Sequence, residues 1–161
     1  MTIRKATSAD IELLIRLRLD FIEQDSGEIA ELLKQKLAMQ LRRYFAKSFA
    51  DGNFVAILAE ESGSIVSTAY LAVSEKPPWT RCPNGKTGTI MNVLTHAAHR
   101  RKGIATKVLS RLIDEAKALN ISSLDLLATE AGLSLYKTLG FSTVDYAPMK
   151  LELFQAPPRS S

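Results

Sequence analysis

The stretch "HRRKGIATKVL", His99 to Leu109, sets Arg100, Arg101, Lys102 and Gly103 directly ahead of an apolar stripe with helical spacing. A glycine-containing bend at a helix start aims unbonded backbone N–H groups at one point, and the helix dipole adds roughly half a positive charge there. Cations at that end oppose the dipole unless an anion sits between them. A phosphate suits the place, because the amides donate to it and Arg side chains add charge-assisted bonds. Gly103, without a Cβ, lets a diphosphate come close to the backbone. The spacing fits neither the phosphate loop, which needs Lys-Ser or Lys-Thr after its second glycine, nor the three-glycine dinucleotide fingerprint. Other residues with usable chemistry are scattered. Tyr136 lies in "LSLYKTLG", where amphipathic spacing alone explains it as packing. Asn92 can bond a substrate amine or bridge strands, and Asp125, Glu60, Glu130 and His96 can each accept a proton or simply be solvated.

Composition bounds what these residues can serve. The chain has 161 residues, 46% of them hydrophobic, enough to bury a core, and 21 basic residues stand against 17 acidic ones for a net charge of +4. That modest excess suits a nucleotide-like anion. Arg42, Arg43 and Lys47 could join the 100–102 cluster in a basic surface, but no aromatic platform accompanies them, so a nucleic-acid partner is not expected. The single cysteine, Cys82, rules out an intrachain disulfide and a cysteine-based metal cluster, and no metal is expected. The start "MTIRKATSADIELL" lacks a signal peptide's apolar core, and no apolar run approaches the ~18 residues of a membrane span. A cytoplasmic protein with no membrane partner is the expectation.

The elements that must position the bend follow from periodicity. Ile3 starts a short strand. Ser8 caps a helix whose apolar residues are Ile11, Leu14, Ile15, Leu17 and Leu19, and a second helix runs from about Glu28 to Lys47. "NFVAILAEE" and "GSIVSTAYLAV" form an antiparallel hairpin, and Ser74 to Gly88, with three prolines, is a loop. Its span from Lys76 to Lys86, with Trp79 and Arg81, is a candidate lid. "TIMNVLT" is a strand buried on both faces. The helix after the bend buries Ile104, Val108, Leu109, Leu112, Ile113, Ala116 and Leu119 and stops at Asn120. A strand "SSLDLLAT", a short helix "AGLSLYKTLG" and a last hairpin of "FSTVDY" with "MKLELF" complete an α/β chain. The alternation implies a mixed sheet with helices on both faces. One domain over 1–155 and a loose tail over 156–161 are expected.

Arg100-x-x-Gly103-x-Ala105, after "IMNVLTHAAH" and opening a helix, resembles the acyl-CoA-binding signature of the Gcn5-related N-acetyltransferase (GNAT) superfamily. "LATEAGLSLYKTLGF" is similar to the superfamily's later strand and short helix, and "IRKATSADIELLIRLR" and "MKLEL" resemble its start and end. Ala105 stands where glycine is common. The resemblance implies a GNAT fold of about six to seven strands with a splayed central parallel pair, "IMNVLTH" and "LDLLAT". Acetyl-CoA would be the co-substrate, its pantetheine arm bonded near Val93, Leu94 and Thr95 as an added strand. Amides of Arg101, Lys102, Gly103, Ile104 and Ala105, with the Arg100 side chain, would hold the pyrophosphate. Tyr136 matches the usual acid for the departing sulfur, and the Leu94 amide would serve as oxyanion donor. The base stays open among Asp125, Glu60, Glu130, His96 and a water chain, with Asn92 a candidate for acceptor binding. The activity implied is transfer of acetyl to a primary amine of a small molecule or peptide terminus. The alternative is a non-catalytic acyl-CoA sensor of the same fold. Members are often homodimers.

Overall fold

The computed structural model describes residues 1–154. In chain order the elements are β1 (Thr2–Lys5), α1 (Ile11–Ser26), α2 (Glu31–Asp51), β2 (Phe54–Glu61), β3 (Ser64–Glu75), β4 (Lys86–Thr95), α3 (Ile104–Ala118), β5 (Ser123–Asp125) and α4 (Leu133–Thr138). They build one five-stranded sheet in the order β1-β2-β3-β4-β5, antiparallel except for the parallel β4–β5 pair.

Strand alternation divides the core between two faces. Val55, Ile57, Leu71 and Ile90 point to the face covered by Val108, Leu109 and Leu112 of α3. Phe54, Ala56, Leu58 and Tyr70 point to the other face, against Leu14 and Leu17 of α1 and Phe45 of α2. Tilted and edge-to-face contacts among Phe45, Phe54 and Tyr70 knit that second layer, with ring centroids 5.0 to 6.1 Å apart. The Tyr70 hydroxyl donates to the Leu14 carbonyl at 3.0 Å, which fixes the height of α1 over the sheet. Burial pushes that phenol well above its ordinary range.

Several boundaries differ from the sequence expectation. Thr7 rather than Ser8 caps the first helical turn, in a reciprocal capping box with Asp10. Strand β4 starts at Lys86, because the preceding loop is pinned: Asn84 donates to the Asn120 carbonyl at 2.7 Å and receives the Ser122 hydroxyl at 2.6 Å. Helix α3 does end where Asn120 takes a left-handed conformation, φ 56°. About six to seven strands were expected, and five are present among the described residues. Among the described residues the segments "FSTVDY" and "MKLELF" join no ladder, and Val144, Tyr146, Met149, Leu151 and Leu153 are 76–93% exposed. Alternation describes the two faces of a strand but not whether a partner edge exists. The neighbouring edge, β5, offers only three paired residues, and Pro148 lacks a donor. The expected tail over 156–161 lies outside the described residues. Among the described residues no helix is long and apolar enough to cross a membrane.

The Arg4 guanidinium grips Asp10 through two bonds of 2.9 and 3.0 Å, anchoring the start of α1 to β1. The Arg4 bonds hold the Asp10 carboxyl below its ordinary 3.8, so its contribution is present above that value and is lost as pH falls through the lower folded value. Asp10→Ala is expected to cost about 1–2 kcal/mol at pH 7 by urea titration, with the gap to the parent closing below pH ~4.

Candidate functional site

The site begins where the central parallel pair comes apart. β4 and β5 are in register only over Thr87↔Ser123, Gly88↔Leu124 and Thr89↔Asp125. At Gly88 the strands are close: a Cβ there would stand 2.6 Å from Leu71 Cδ1 and 2.8 Å from Leu124 Cδ2. From Ile90 to Thr95, β4 runs on with no strand paired to its β5-facing edge among the described residues. The Thr89 hydroxyl donates to Asp125 Oδ1 at 2.8 Å, closing the fork at its base.

Just beyond the fork, β4 bulges. Thr68 pairs with Leu94 and Tyr70 with Met91, so Ala69 alone faces both Asn92 and Val93. Asn92 takes a left-handed conformation, φ 54°, inside the strand and is 1% exposed. Its Oδ1 accepts from Arg18 Nη1 of α1 at 3.3 Å, while Nδ2 is buried without a partner among the described residues. Val93 packs on the α3 side, and Leu94 is buried with its carbonyl accepting from the Ser67 hydroxyl at 2.9 Å.

The mouth of the fork is the bend. Arg100 is extended, Arg101 left-handed at φ 62°, and Gly103 left-handed at φ 73°, so the chain doubles back from β4 into α3. No side chain caps α3 and no acid lies in its first turn, so its leading amides are open to an acceptor. An ideal Cβ on Gly103 would meet nothing within 4 Å, the space a ligand needs to reach the backbone. Arg100 Nε donates to the Thr95 carbonyl at 2.9 Å, which ties the end of β4 to the bend. None of Arg100, Arg101 and Lys102 ion-pairs with a carboxylate among the described residues. A non-glycine residue held at positive φ, amid cations without a carboxylate partner at an uncapped helix start, is an arrangement that can receive an anion.

Tyr136 lies half-buried on α4. It packs against the same cluster as Val93 and Ile104, and its ring stands edge-on to Phe141 with centroids 5.9 Å apart. Its hydroxyl has no hydrogen-bond partner among the described residues, and burial raises its pKa above the ordinary 10.0, so it stays protonated.

The base candidates separate. Asp125 is exposed and accepts from Thr89, and Glu60 ion-pairs with Arg4 at 3.5 Å beside a cavity of about 470 Å³ between α1 and the β2–β3 turn. Glu130 is exposed ahead of α4, and His96 is an exposed side chain whose amide donates to the Val66 carbonyl at 3.0 Å. The loop from Lys76 to Lys86 sits at the far end of β4 from the bend, nine residues and roughly 30 Å away. Sequence reasoning missed Arg18. The signal was available: at helical spacing from Leu14 it breaks an otherwise apolar stripe.

Residues 19–141 match the model of the acetyltransferase (GNAT) family. A predicted acetyltransferase from Clostridium acetobutylicum, solved with acetyl-CoA, is 34% identical, with 94% of this chain and 96% of that one covered at a TM-score of 0.81. A GCN5-related N-acetyltransferase from Ralstonia eutropha is 26% identical over 93% and 97% of the two chains, TM-score 0.76. Glucosamine-6-phosphate N-acetyltransferase from Arabidopsis thaliana, 22% identical over 93% and 97%, TM-score 0.69, shares the fold. No curated protein gives a significant match.

If the bend holds a diphosphate, Arg100→Ala and Gly103→Asp both weaken CoA binding in calorimetry. The second has the larger effect, about tenfold or more, because it adds a negative charge where the amides converge.

Proposed function

This chain belongs to the acetyltransferase (GNAT) family, and from that membership we propose that it moves the acetyl group of acetyl-CoA to a primary amine of a small molecule or peptide terminus by direct attack in a ternary complex. It is an acetyl-CoA-dependent N-acyltransferase, with residues 1–155 read as one catalytic domain. The observation that carries the reading is the unpaired edge of β4 from Ile90 to Thr95, running straight into the uncapped, glycine-opened start of α3. An extended pantetheine arm answers the first as an added strand would, along Val93, Leu94 and Thr95, and a diphosphate answers the second at Arg100 to Ala105.

The chemistry follows from what lies along that edge. The amine nitrogen attacks the thioester carbonyl, and negative charge grows on its oxygen, where a backbone amide on the open edge of β4 beside Leu94 is our candidate donor. The C–S bond then breaks and the sulfur leaves as thiolate. Tyr136 is the proposed proton donor. Its phenol, held protonated by burial, is a weaker acid than a thiol of pKa about 8.5, so it first stabilises the thiolate as a hydrogen-bond donor. Proton transfer completes when the proton released from the acylated nitrogen restores the phenol, directly or through water. The products are an amide and CoA, with no net change in the enzyme. Asp125 remains the weakest of these assignments chemically, since its Oδ1 is already bonded to Thr89. A water relay to solvent serves the base role equally well.

Tyr136→Phe removes only the hydroxyl. It is expected to leave acetyl-CoA affinity within about twofold and to lower kcat by roughly 100-fold or more in a thiol-release assay. In the parent, the limb that reports loss of this proton falls above pH 10, because the folded pKa is raised. An unchanged kcat with acetyl transfer rate-limiting would make Tyr136 a packing residue. Acetyl-CoA binding without transfer to amino acids, polyamines, aminoglycosides or peptide N-termini would favour the sensor.

A further inference from the structure

Arg18 occupies an unusual place for a guanidinium. It lies one turn beyond Leu14 on the sheet-facing side of α1, part-buried, with its plane centre 5.7 Å from the Phe21 ring. Arg16, its neighbour on α1, is exposed to solvent, and the two cations of β1 are matched. Arg4 has Asp10 at 2.9 Å and Lys5 has Glu115 at 2.7 Å. Arg18 has no carboxylate partner among the described residues, and its one hydrogen bond is the long 3.3 Å contact to Asn92 Oδ1. Asp20, two residues along the helix, projects to a different side and lines the cavity by the β2–β3 turn.

The place it reaches is equally unusual. Asn92 forms the β4 bulge in a left-handed conformation, and its Nδ2 is buried with no acceptor among the described residues. Thr68 Oγ1, on the strand alongside, is likewise buried without a partner among the described residues. Donors left unmade in a core cost stability, and such groups persist where something else uses them. Here the next three residues of β4 are the ones along which the acyl arm is read to lie. An amine poised over that acyl group has the α3 face and the fork on one side, so the rest of the acceptor extends past the bulge toward α1.

We propose that Arg18, held on the Asn92 bulge, receives a carboxylate or phosphate carried by the acceptor, so that the preferred substrates are anionic primary amines. This rests on the transferase reading above. The guanidinium presents a planar fork that pairs either anion through two bonds, and partial burial beside Phe21 strengthens each. Asn92 acts as a positioning residue: its Oδ1 aims the guanidinium, and its Nδ2 is a spare donor beside it.

The test uses the full chain saturated with CoA, titrated calorimetrically with two matched pairs, β-alanine against its amide and phosphoethanolamine against ethanolamine. Thiol release from acetyl-CoA is followed in parallel. The anionic member of at least one pair should bind at least about tenfold more tightly. Arg18→Ala should abolish that preference, and Arg18→Lys should keep part of it. Both variants should bind acetyl-CoA as the parent does, which reports an intact fold. Preference within the carboxylate pair or the phosphate pair identifies the anion. Equal binding within both pairs, no binding of any probe at tens of millimolar, or a preference that survives Arg18→Ala overturns the proposal. A parent that fails to bind acetyl-CoA at all overturns the transferase reading instead.

Discussion

The molecule is organised around the parting of two parallel strands. Hydrogen-bonding groups of a strand interior are obligatory donors and acceptors, and leaving an edge of them unpaired inside a fold is costly. β4 does so from Ile90 onward, after only three residues of pairing with β5. Most of the surrounding structure makes sense as support for that one open edge. β3, itself paired to β2, holds β4 on its other side, α3 braces one face through Val108, Leu109 and Leu112, and α1 braces the other through Leu14 against Tyr70 of β3. Thr89 and Asp125 clamp the base of the fork. At its mouth Arg100 returns to the Thr95 carbonyl, so the end of the open edge and the start of α3 move as a unit.

The two faces of β4 then divide the labour. On the α3 side lie Val93 and Tyr136, a half-buried phenol with a partnerless hydroxyl. On the α1 side lie Asn92 and Arg18. The bulge sets this division: Met91 packs in the α1 layer and Asn92 reaches Arg18 on the same side, so the extra residue in β4 returns Val93 to the α3 layer. A ligand laid along that edge would have the proposed proton donor on one side and the proposed anion anchor on the other.

Much of this was legible in the sequence, and the rest was missing for identifiable reasons. The periodicity of Ile104, Val108, Leu109 and Leu112 marks α3 clearly, and the run of cations before Gly103 marks its start as unusual. The alternating residues of β2 and β3 give the hairpin. The fork is not legible, because parallel pairing depends on where β5 lies and not on the composition of β4. The bulge is equally silent, since Asn92 in an apolar run reads as any strand asparagine until the register with Ala69 is known. Apolar alternation from Met149 to Phe154 suggests a strand for which no partner edge is present. Arg18 is the instructive case: a charge within a helix's apolar stripe is a signal that can be read, but what it faces comes only from the packing of α1 on β4.

The central claim is that the open edge of β4 and the start of α3 are one binding surface for acetyl-CoA. Residue-resolved amide hydrogen exchange, with and without saturating acetyl-CoA, measures it most directly. The account predicts slowed exchange concentrated within Val93 to Thr95 and Gly103 to Ala105 together, with β1 and β2 little changed. Protection at only one of these segments, or at neither while the cofactor is bound, would contradict it.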